Sequence, residues 1–175
     1  MKDLILGCHL LFAREGATID DFVVSPTYKP DTDPEANYTV LPTVQDWEPK
    51  VSRSFVERRA PSPGIYQTRK RIPISQKITH AFSLQEFSLM TFAELVLGGN
   101  APAAGVFVPG ERTDLVRGWW IVQGYDQEDN KIITLNIWGE ASVEGYKFGE
   151  RLDPYAVMIE QLYSTLNTGL VETLT

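Results

Sequence analysis

The sequence has one cysteine, Cys8, and two histidines. A single thiol excludes a disulfide framework within the chain and any zinc site built from several thiolates. No stretch approaches the ~18 apolar residues of a membrane-spanning helix. The opening MKDLILGCHLLFARE has a short apolar run, interrupted by Gly7 and His9, and no small-residue cleavage site follows it. These absences predict a soluble chain made in a reducing compartment.

Signatures of catalysis and metal binding are also missing. The chain contains no G-x-S-x-G, G-x-x-x-x-G-K-[ST], G-x-G-x-x-G or H-E-x-x-H motif. His9 and His80 are far apart in sequence, and each fits a strand pattern in which a packed histidine is the simpler interpretation. The stretch DQEDN begins like a calcium loop, but Lys131 and Ile137 occupy the positions where that loop needs Gly and Glu. We therefore expect no enzyme activity, no metal site and no cofactor.

What the sequence does have is a long alternating stretch at its centre, residues 71–85. One set of alternate positions is largely apolar and comprises Ile72, Ile74, Ile78, His80, Phe82 and Leu84. The other set is small and polar. A period of two with one apolar face predicts a long, half-buried antiparallel strand. This polar face is either the ordinary solvated face of a sheet or a face that lines an enclosed space.

A short helix is predicted directly after this strand. Leu89, Phe92 and Val96 follow at helical spacing and are expected to pack on the core. Ser88 is placed to cap the start of the helix, and Gly98-Gly99 to end it.

The remaining pattern is rich in β-structure. Strands are predicted at residues 3–13, at 38–45, and in a hairpin formed by 115–125 and 131–143. Residues 155–166 fit either a helix or a strand, and by pattern alone the helix is slightly ahead. The chain is long enough to bury a core as one domain, 1–175. The predicted fold class is mainly β, an antiparallel sandwich or barrel with one short flanking helix.

The charge distribution is uneven along the chain. Residues 1–49 hold nine acids and three bases (−6), residues 50–77 hold eight bases and one acid (+7), and residues 78–175 hold thirteen acids and five bases (−8). Residues 46–71 also carry turn-forming Pro and Gly, which predicts a long loop or open hairpin that projects from the body. Such a block suits a solvated loop, a nucleic-acid patch, or a surface complementary to an acidic second copy.

Several stretches together resemble the tail tube (major tail) proteins of long-tailed bacteriophages. MKDLILGCHLLFA is similar to their opening strand, and NYTVLPTVQDWEPKVSRSF to their second strand and long loop. KITHAFSLQEFSLMTFAELVLGG resembles their long strand and short helix. WWIVQGYDQEDNKIITLNIWGEASVEG resembles the closing hairpin, and YAVMIEQLYSTLNTG the final strand. The resemblance covers nearly the whole chain and implies a strand, not a helix, at residues 155–166.

The resemblance implies a structural virion protein with a β-sandwich fold. Its copies would form stacked rings, of six subunits in that family, and the rings would make the tail tube that delivers double-stranded DNA. The implied partners are other copies of the chain, a tape-measure protein, a tail terminator, and DNA that passes without specific binding; no membrane is implied. The implied location is the phage tail, assembled in the host cytoplasm.

The resemblance also suggests roles for two groups of residues. The polar face of the central strand would line the lumen, through Ser75, Lys77, Thr79, Ala81 and Ser83. The basic segment would form the ring-to-ring contact, through Arg53, Arg58, Arg59, Arg69 and Arg71.

Two alternatives stay open at this point. One is a related tail terminator or injection-machine tube component with the same fold. The other is a small β-barrel module that binds a ligand or nucleic acid.

Overall fold

The fold is described from a computed structural model of the chain. It covers residues 7–31, 35–42, 44–126, 128–143, 145–147, 149 and 153–171. The described residues form ten strands, and four of those outside one long hairpin have seven residues or more. The ten strands are β1 Gly7–Arg14, β2 Thr18–Ile19, β3 Phe22–Val23, β4 Thr39–Val40, β5 Val44–Ser62, β6 Ile65–Leu84, β7 Val116–Tyr125, β8 Lys131–Val143, β9 Tyr155–Gln161 and β10 Thr168–Val171. The helical elements are a 3₁₀ turn, Glu35–Asn37, and a π-helix, Thr91–Val96.

Six of the strands close into an antiparallel barrel. The sheet runs β8-β7-β1-β5-β6-β9, and β9 pairs back onto β8, so the path returns to its start. The link between β1 and β5 is short, with Cys8 opposite Val44, and β4 extends it along β1. β9 and β10 pair with the same edge of β8. β10 pairs there with residues 133–136 of β8.

The inside of the barrel is filled by one apolar cluster. Alternate residues of each strand point inward, among them Leu10, Phe82, Trp120, Val157 and Ile159. Part of the outer face is buried as well, because Val24 and Tyr38 cover Leu11 and Trp119 from outside. The adjacent pair Trp119 and Trp120 thus places one ring on each face, and both rings are fully buried. β1 is therefore covered on both faces by its own chain.

The barrel has two distinct ends. At one end β1 finishes, β7 begins and the π-helix packs across the opening, with Met90 and Leu95 in the barrel cluster. We call this the closed end. At the other end β1 begins, β7 and β9 finish, and β5 and β6 leave the barrel together as a hairpin. We call this the open end.

The strand predictions are largely confirmed. The mainly β fold class is confirmed, the 115–125 and 131–143 hairpin is β7 and β8, and the central strand is β6. The first strand is seen from Gly7, and its predicted residues 3–6 lie outside the described part. The predicted strand 38–45 is split into β4 and the start of β5.

Residues 155–161 form a strand and not the helix that the pattern slightly favoured. β9 pairs with β6 on one side and β8 on the other, so its conformation is set by two strands distant in sequence. The strand implied by the family resemblance is the one observed, and it ends at Gln161.

The predicted inward face of the helix is partly wrong. Leu89 is 57% exposed, and the buried apolar residues are Met90, Ala93 and Leu95. The cause is the π-type hydrogen bonding, in which the N–H of Leu97 donates to the carbonyl of Phe92, five residues back. The wider turn places residues five apart, such as Met90 and Leu95, on the same face. The Ser88 hydroxyl does accept from the N–H of Thr91, as a cap would.

Candidate assembly surfaces

The basic segment forms a regular hairpin, not an irregular loop. β5 and β6 pair from Val44–Leu84 to Ser62–Ile65, around a turn at residues 63–64 where Gly64 has φ +85°. β9 pairs with β6 only as far as Thr79. The 14 residues Ile65–Ile78 therefore extend beyond the β9 pairing, a length of about 45 Å. Over this length the outer edges of β5 and β6 have no strand partner among the described residues.

Bulges in the hairpin change which side chains share a face. The register skips Gln45 on β5 at the base of the hairpin, and then Ile74 and Arg69 on β6 farther out. Beyond each bulge the β6 side chains exchange faces relative to β5. The prediction that Ile72 shares a face with Ile78 and Phe82 is therefore wrong, since Ile72 pairs with Val56 on the opposite face. Arg71 likewise lies on the face opposite Lys77.

The five arginines predicted for the ring-to-ring contact are all on the hairpin, but not on one face. Arg53, Arg59 and Arg71 share a face with Glu57. Arg71 Nε donates to Glu57 at 3.0 Å, Arg59 is 3.6 Å from the same carboxylate, and Arg53 Nε donates to Gln76. Arg58 lies on the other face, and Arg69 is the bulge residue. The hairpin therefore presents positive charge on both faces.

Arg58 is directly opposite Lys70 across the hairpin. Like charges in that position destabilise an isolated sheet. Among the ion pairs of the described residues, neither side chain has a carboxylate partner, and both are exposed. The chain thus maintains an uncompensated pair of positive charges at the far half of the hairpin. An acidic surface outside this chain would remove the repulsion.

The residues predicted to line a lumen share one face of β6, opposite the inward-facing His80 and Phe82; they are Ser75, Lys77, Thr79, Ala81 and Ser83. Thr79, Ala81 and Ser83 lie on the outer face of the barrel wall, where their neighbours on β9 are Glu160, Met158 and Ala156. Ser75 and Lys77 continue this face onto the projecting hairpin. Lys77 Nζ is 2.5 Å from Glu160, and Ser75 Oγ is 2.6 Å from Ser54 Oγ. Lys77 thus pairs within the chain with Glu160, and Arg71 pairs with Glu57. Whether this face lines a lumen stays a prediction.

The closed end is rich in exposed acids. The segment that follows β1 leaves from this end to cover the outer wall, and it carries Glu15, Asp20, Asp21 and Asp31. Glu86, Glu111, Asp114 and Asp153 lie in the other connections at the same end. Asp20 and Asp21 form the β2–β3 turn with φ of 51° and 66°, a conformation that Asp tolerates better than most residues. Among the described residues, the exposed bases at this end are Arg117, which pairs with Glu15 and Glu140, and Lys147, so exposed acids outnumber them. The chain therefore has a basic projection at its open end and an excess of acids at its closed end.

A buried carboxylate holds the closed end together. Glu94, on the π-helix, is 4% exposed and accepts hydrogen bonds from Arg14 at 2.5 Å and from Arg112 at 2.8 Å. Arg14 ends β1, and Arg112 lies in the connection to β7. Both arginines and Glu94 come from distant parts of the sequence, and no local pattern indicated this cluster.

A cavity of about 240 Å³ opens at the other end of the barrel. It lies where β9 stops at Gln161, β10 resumes at Thr168, and β6 departs with the hairpin. Leu135 and Ile137 form its apolar wall, and Asn136 is hydrogen-bonded to Thr168 at its rim. His80 forms part of the wall. Its Nδ1 accepts from Trp47 Nε1 at 3.3 Å, while its buried Nε2 has no hydrogen-bond partner among the described groups.

Burial lowers the pKa of His80, and the nearby Gln161 side chain opposes this shift. Below pH 6.5, its ordinary pKa, the unfolded chain therefore takes up a proton at this residue before the folded chain does. We expect the free energy of unfolding to fall as the pH is lowered from about 7.5 to about 5. His80→Gln should reduce this slope in urea titrations. A slope equal to that of the parent protein would contradict the assignment.

Among the described residues, no helix has the length and apolarity needed to cross a membrane, and no group of three or more His, Cys, Asp or Glu is placed to hold a metal ion.

Comparison with solved structures finds a distant likeness. The chain matches no family model and no curated protein. It is similar to a chain in the cryo-EM structure of the anti-feeding prophage baseplate, 6-fold symmetrised, with 8% sequence identity, a TM-score of 0.44 and 99% coverage of both chains. At that distance the likeness assigns no function, which has to be argued from the surfaces described above.

Proposed function

We propose that this chain is a structural subunit of a bacteriophage tail or a related injection machine, and that its copies assemble into stacked rings that form the tail tube. The observation that carries the proposal is the hairpin. It extends about 45 Å from the barrel, has two open strand edges and holds Arg58 opposite Lys70 without a counter-charge. Exposed polar groups along a strand edge are a ready template for pairing with another chain.

Charge placement supports a contact between copies of the same chain. The hairpin is basic and the closed end is acidic, so the two ends of one barrel complement each other. A contact between unlike patches on identical subunits is heterologous and produces rings or filaments, not closed dimers. Each ion pair at an exposed position contributes only about 0 to 1 kcal/mol, but symmetry repeats it around every ring.

Finer features of the proposal come from the sequence resemblance. They are six subunits in each ring, a lumen lined by the polar face of β6, and passage of double-stranded DNA after a tape-measure protein has left. A tail terminator would stop growth of the tube. No catalytic role and no cofactor form part of this function.

The direct test is negative-stain electron microscopy of concentrated protein. We expect rings or tubes at low salt and fewer of them at high salt, because exposed ion pairs are screened. A monodisperse monomer at every concentration would contradict the proposal and favour the stand-alone binding module.

A charge reversal on the hairpin separates assembly from folding. Arg58→Glu turns the repulsion with Lys70 into attraction, so the monomer should keep its thermal stability. Assembly should require at least about tenfold more protein, a loss of about 1.4 kcal/mol per contact. Lys147→Glu is the matched control, since it is exposed, makes the same change in net charge and lies away from the hairpin. If both variants assemble alike, the hairpin is not the contact.

A further inference from the structure

The connection after the π-helix carries an apolar turn at the closed end. Ala103 and Val106 pair through two backbone hydrogen bonds of 3.0 Å, and Ala104 and Gly105 between them have φ of 49° and 82°. Positive φ at both central residues defines a tight two-residue hairpin turn. We call residues 103–106 the closed-end turn. Its Val106 is 74% exposed, and Val108 beside it is 58% exposed.

The base of this connection is fixed to the end of the π-helix. The N–H of Gly110 donates to Leu97, and the N–H of Arg112 donates to Gly98, both at 2.9 Å. Gly99 has no room for a side chain, because a Cβ there would lie 2.7 Å from the Phe107 ring. The closed-end turn therefore projects from a base that hydrogen bonds and close packing hold in place. Its Val106 side chain is exposed to solvent.

The open-end cavity has the complementary character. Its wall is apolar at Leu135 and Ile137 and polar at Asn136, Gln161 and Asn167. Its volume is about 240 Å³, and it opens to the outside between β6 and β10. Val171, at the end of β10, adds an exposed apolar residue close to the mouth. The buried Nε2 of His80 makes no hydrogen bond among the described groups, although the Gln161 side chain lies near it, and an inserted turn would bring main-chain carbonyl groups to this wall.

We propose that the closed-end turn of one copy seats in the open-end cavity of a second copy, with Val106 as the inserted side chain. This inference rests on the proposed function and identifies the contact that would set the register between stacked subunits. The occupant is a second copy because the two surfaces lie at opposite ends of one barrel. Stacking that places them together also places the acids of one closed end beside the basic hairpin of the next copy.

The two contacts differ in chemistry and would therefore have different roles in assembly. The hairpin contact is ionic, long in reach and weakened by salt. The turn-in-cavity contact is apolar and short in reach, and salt does not screen it. The hairpin would attract and orient the incoming copy, and the turn would fix its position.

Cysteine cross-linking tests the contact directly. In a Cys8→Ala background, Val106→Cys is combined with Thr168→Cys, which lies at the rim of the cavity. A disulfide forms only when the two Cα atoms come within about 7 Å. Under mild oxidation at assembling concentrations, we expect a ladder of dimers, trimers and longer species on a non-reducing gel. A mixture of the two single-cysteine proteins should give dimers only, because each copy then carries half of the contact.

The controls decide between this contact and other arrangements. Val106→Cys combined with Lys147→Cys should give no ladder, since both positions lie at the closed end. Val106→Asp should raise the concentration needed for assembly at least tenfold without changing the melting temperature of the monomer.

Rings or tubes that are seen by microscopy but give no Val106–Thr168 ladder would overturn this inference and leave the proposed function standing. Dimers that form through Val106 alone would overturn it too, since they indicate a symmetric contact. If no assembly of any kind forms, the proposed function fails first.

Discussion

Replacing Glu94 by alanine is expected to lower the free energy of unfolding by about 3 kcal/mol, and up to about 5 kcal/mol if the neighbouring arginines cannot reach water. The carboxylate is 2% exposed and holds two guanidinium groups, from Arg14 and Arg112. Removing it leaves two positive charges facing each other at a partly buried site, together with a cavity. The lower figure is the better expectation, because the Arg14 side chain is already 31% exposed and can turn outward.

Urea unfolding of the monomer measures this effect. Glu111→Ala is the matched control, since Glu111 is an exposed acid in the same region and should change stability by less than about 0.5 kcal/mol. Glu94→Gln keeps the shape and part of the hydrogen bonding, and should fall between the two. A loss below about 1 kcal/mol for Glu94→Ala would mean that the cluster contributes no more than an exposed ion pair.

The effect of Glu94 also bears on assembly. The cluster joins the end of β1, the π-helix and the connection that carries the closed-end turn. Loosening it should disturb the position of the closed-end turn without touching the hairpin. The Glu94→Gln variant is therefore expected to need a higher protein concentration for assembly than a folded variant that loses the same free energy of unfolding elsewhere.

The strand pattern of this chain was predictable where the period was long and regular. The alternation along residues 75–84 predicts the strand directly, because inward residues such as Phe82 are apolar and outward residues such as Ser83 are small and polar. The hairpin of β7 and β8 was predictable for the same reason. The interpretation of residues 46–71 as a projection followed from composition and charge. Its regular strand structure did not, because Pro49, Pro61 and Pro63 suggest an irregular segment.

The failures have physical causes that a local pattern does not contain. A bulge at Ile74 exchanges the faces of the far half of β6, yet the sequence continues to alternate through it. The π-helix widens the turn, so that a helical wheel with 3.6 residues per turn assigns Leu89 to the wrong side. β9 carries a spacing that fits a helix, and only its pairing with β6 and β8 makes it a strand. The Glu94 cluster joins residues 80 positions apart, as in the pair with Arg14.

The candidate assembly surfaces were predictable in part. The five arginines were found from charge alone, but their distribution over two faces depends on the register of the hairpin. The opposition of Arg58 and Lys70 is visible only in that register. The cavity at the open end could not have been found from sequence, because it exists only where three strands separate.

Gly118→Ala is expected to prevent stable folding, with a cost of at least about 4 kcal/mol. Gly118 lies on β7 opposite Arg14 of β1. A Cβ at this position would meet the carbonyl oxygen of Ala13 well inside contact distance, and would lie 2.7 Å from the Phe12 ring and 3.0 Å from the carbonyl carbon of Ala13. The obstacle is main chain, so no change of rotamer relieves it.

The strands can accept the new methyl group only by moving apart, and that movement would be costly at this site. The β1–β7 ladder runs without a bulge from Gly7–Tyr125 to Arg14–Gly118, and both barrel clusters contact it. Separation near Ala13 would unseat Phe12 from Trp120, whose ring centroids are 4.2 Å apart. It would also shift Arg14 away from Glu94. Gly7→Ala is the matched control on the same ladder, since nothing lies within 4 Å of a Cβ there. Circular dichroism and urea unfolding should show a folded Gly7→Ala protein of unchanged stability and a Gly118→Ala protein without a cooperative transition. A cooperative Gly118→Ala protein within about 1 kcal/mol of the parent would mean that β1 and β7 are not packed as closely as described.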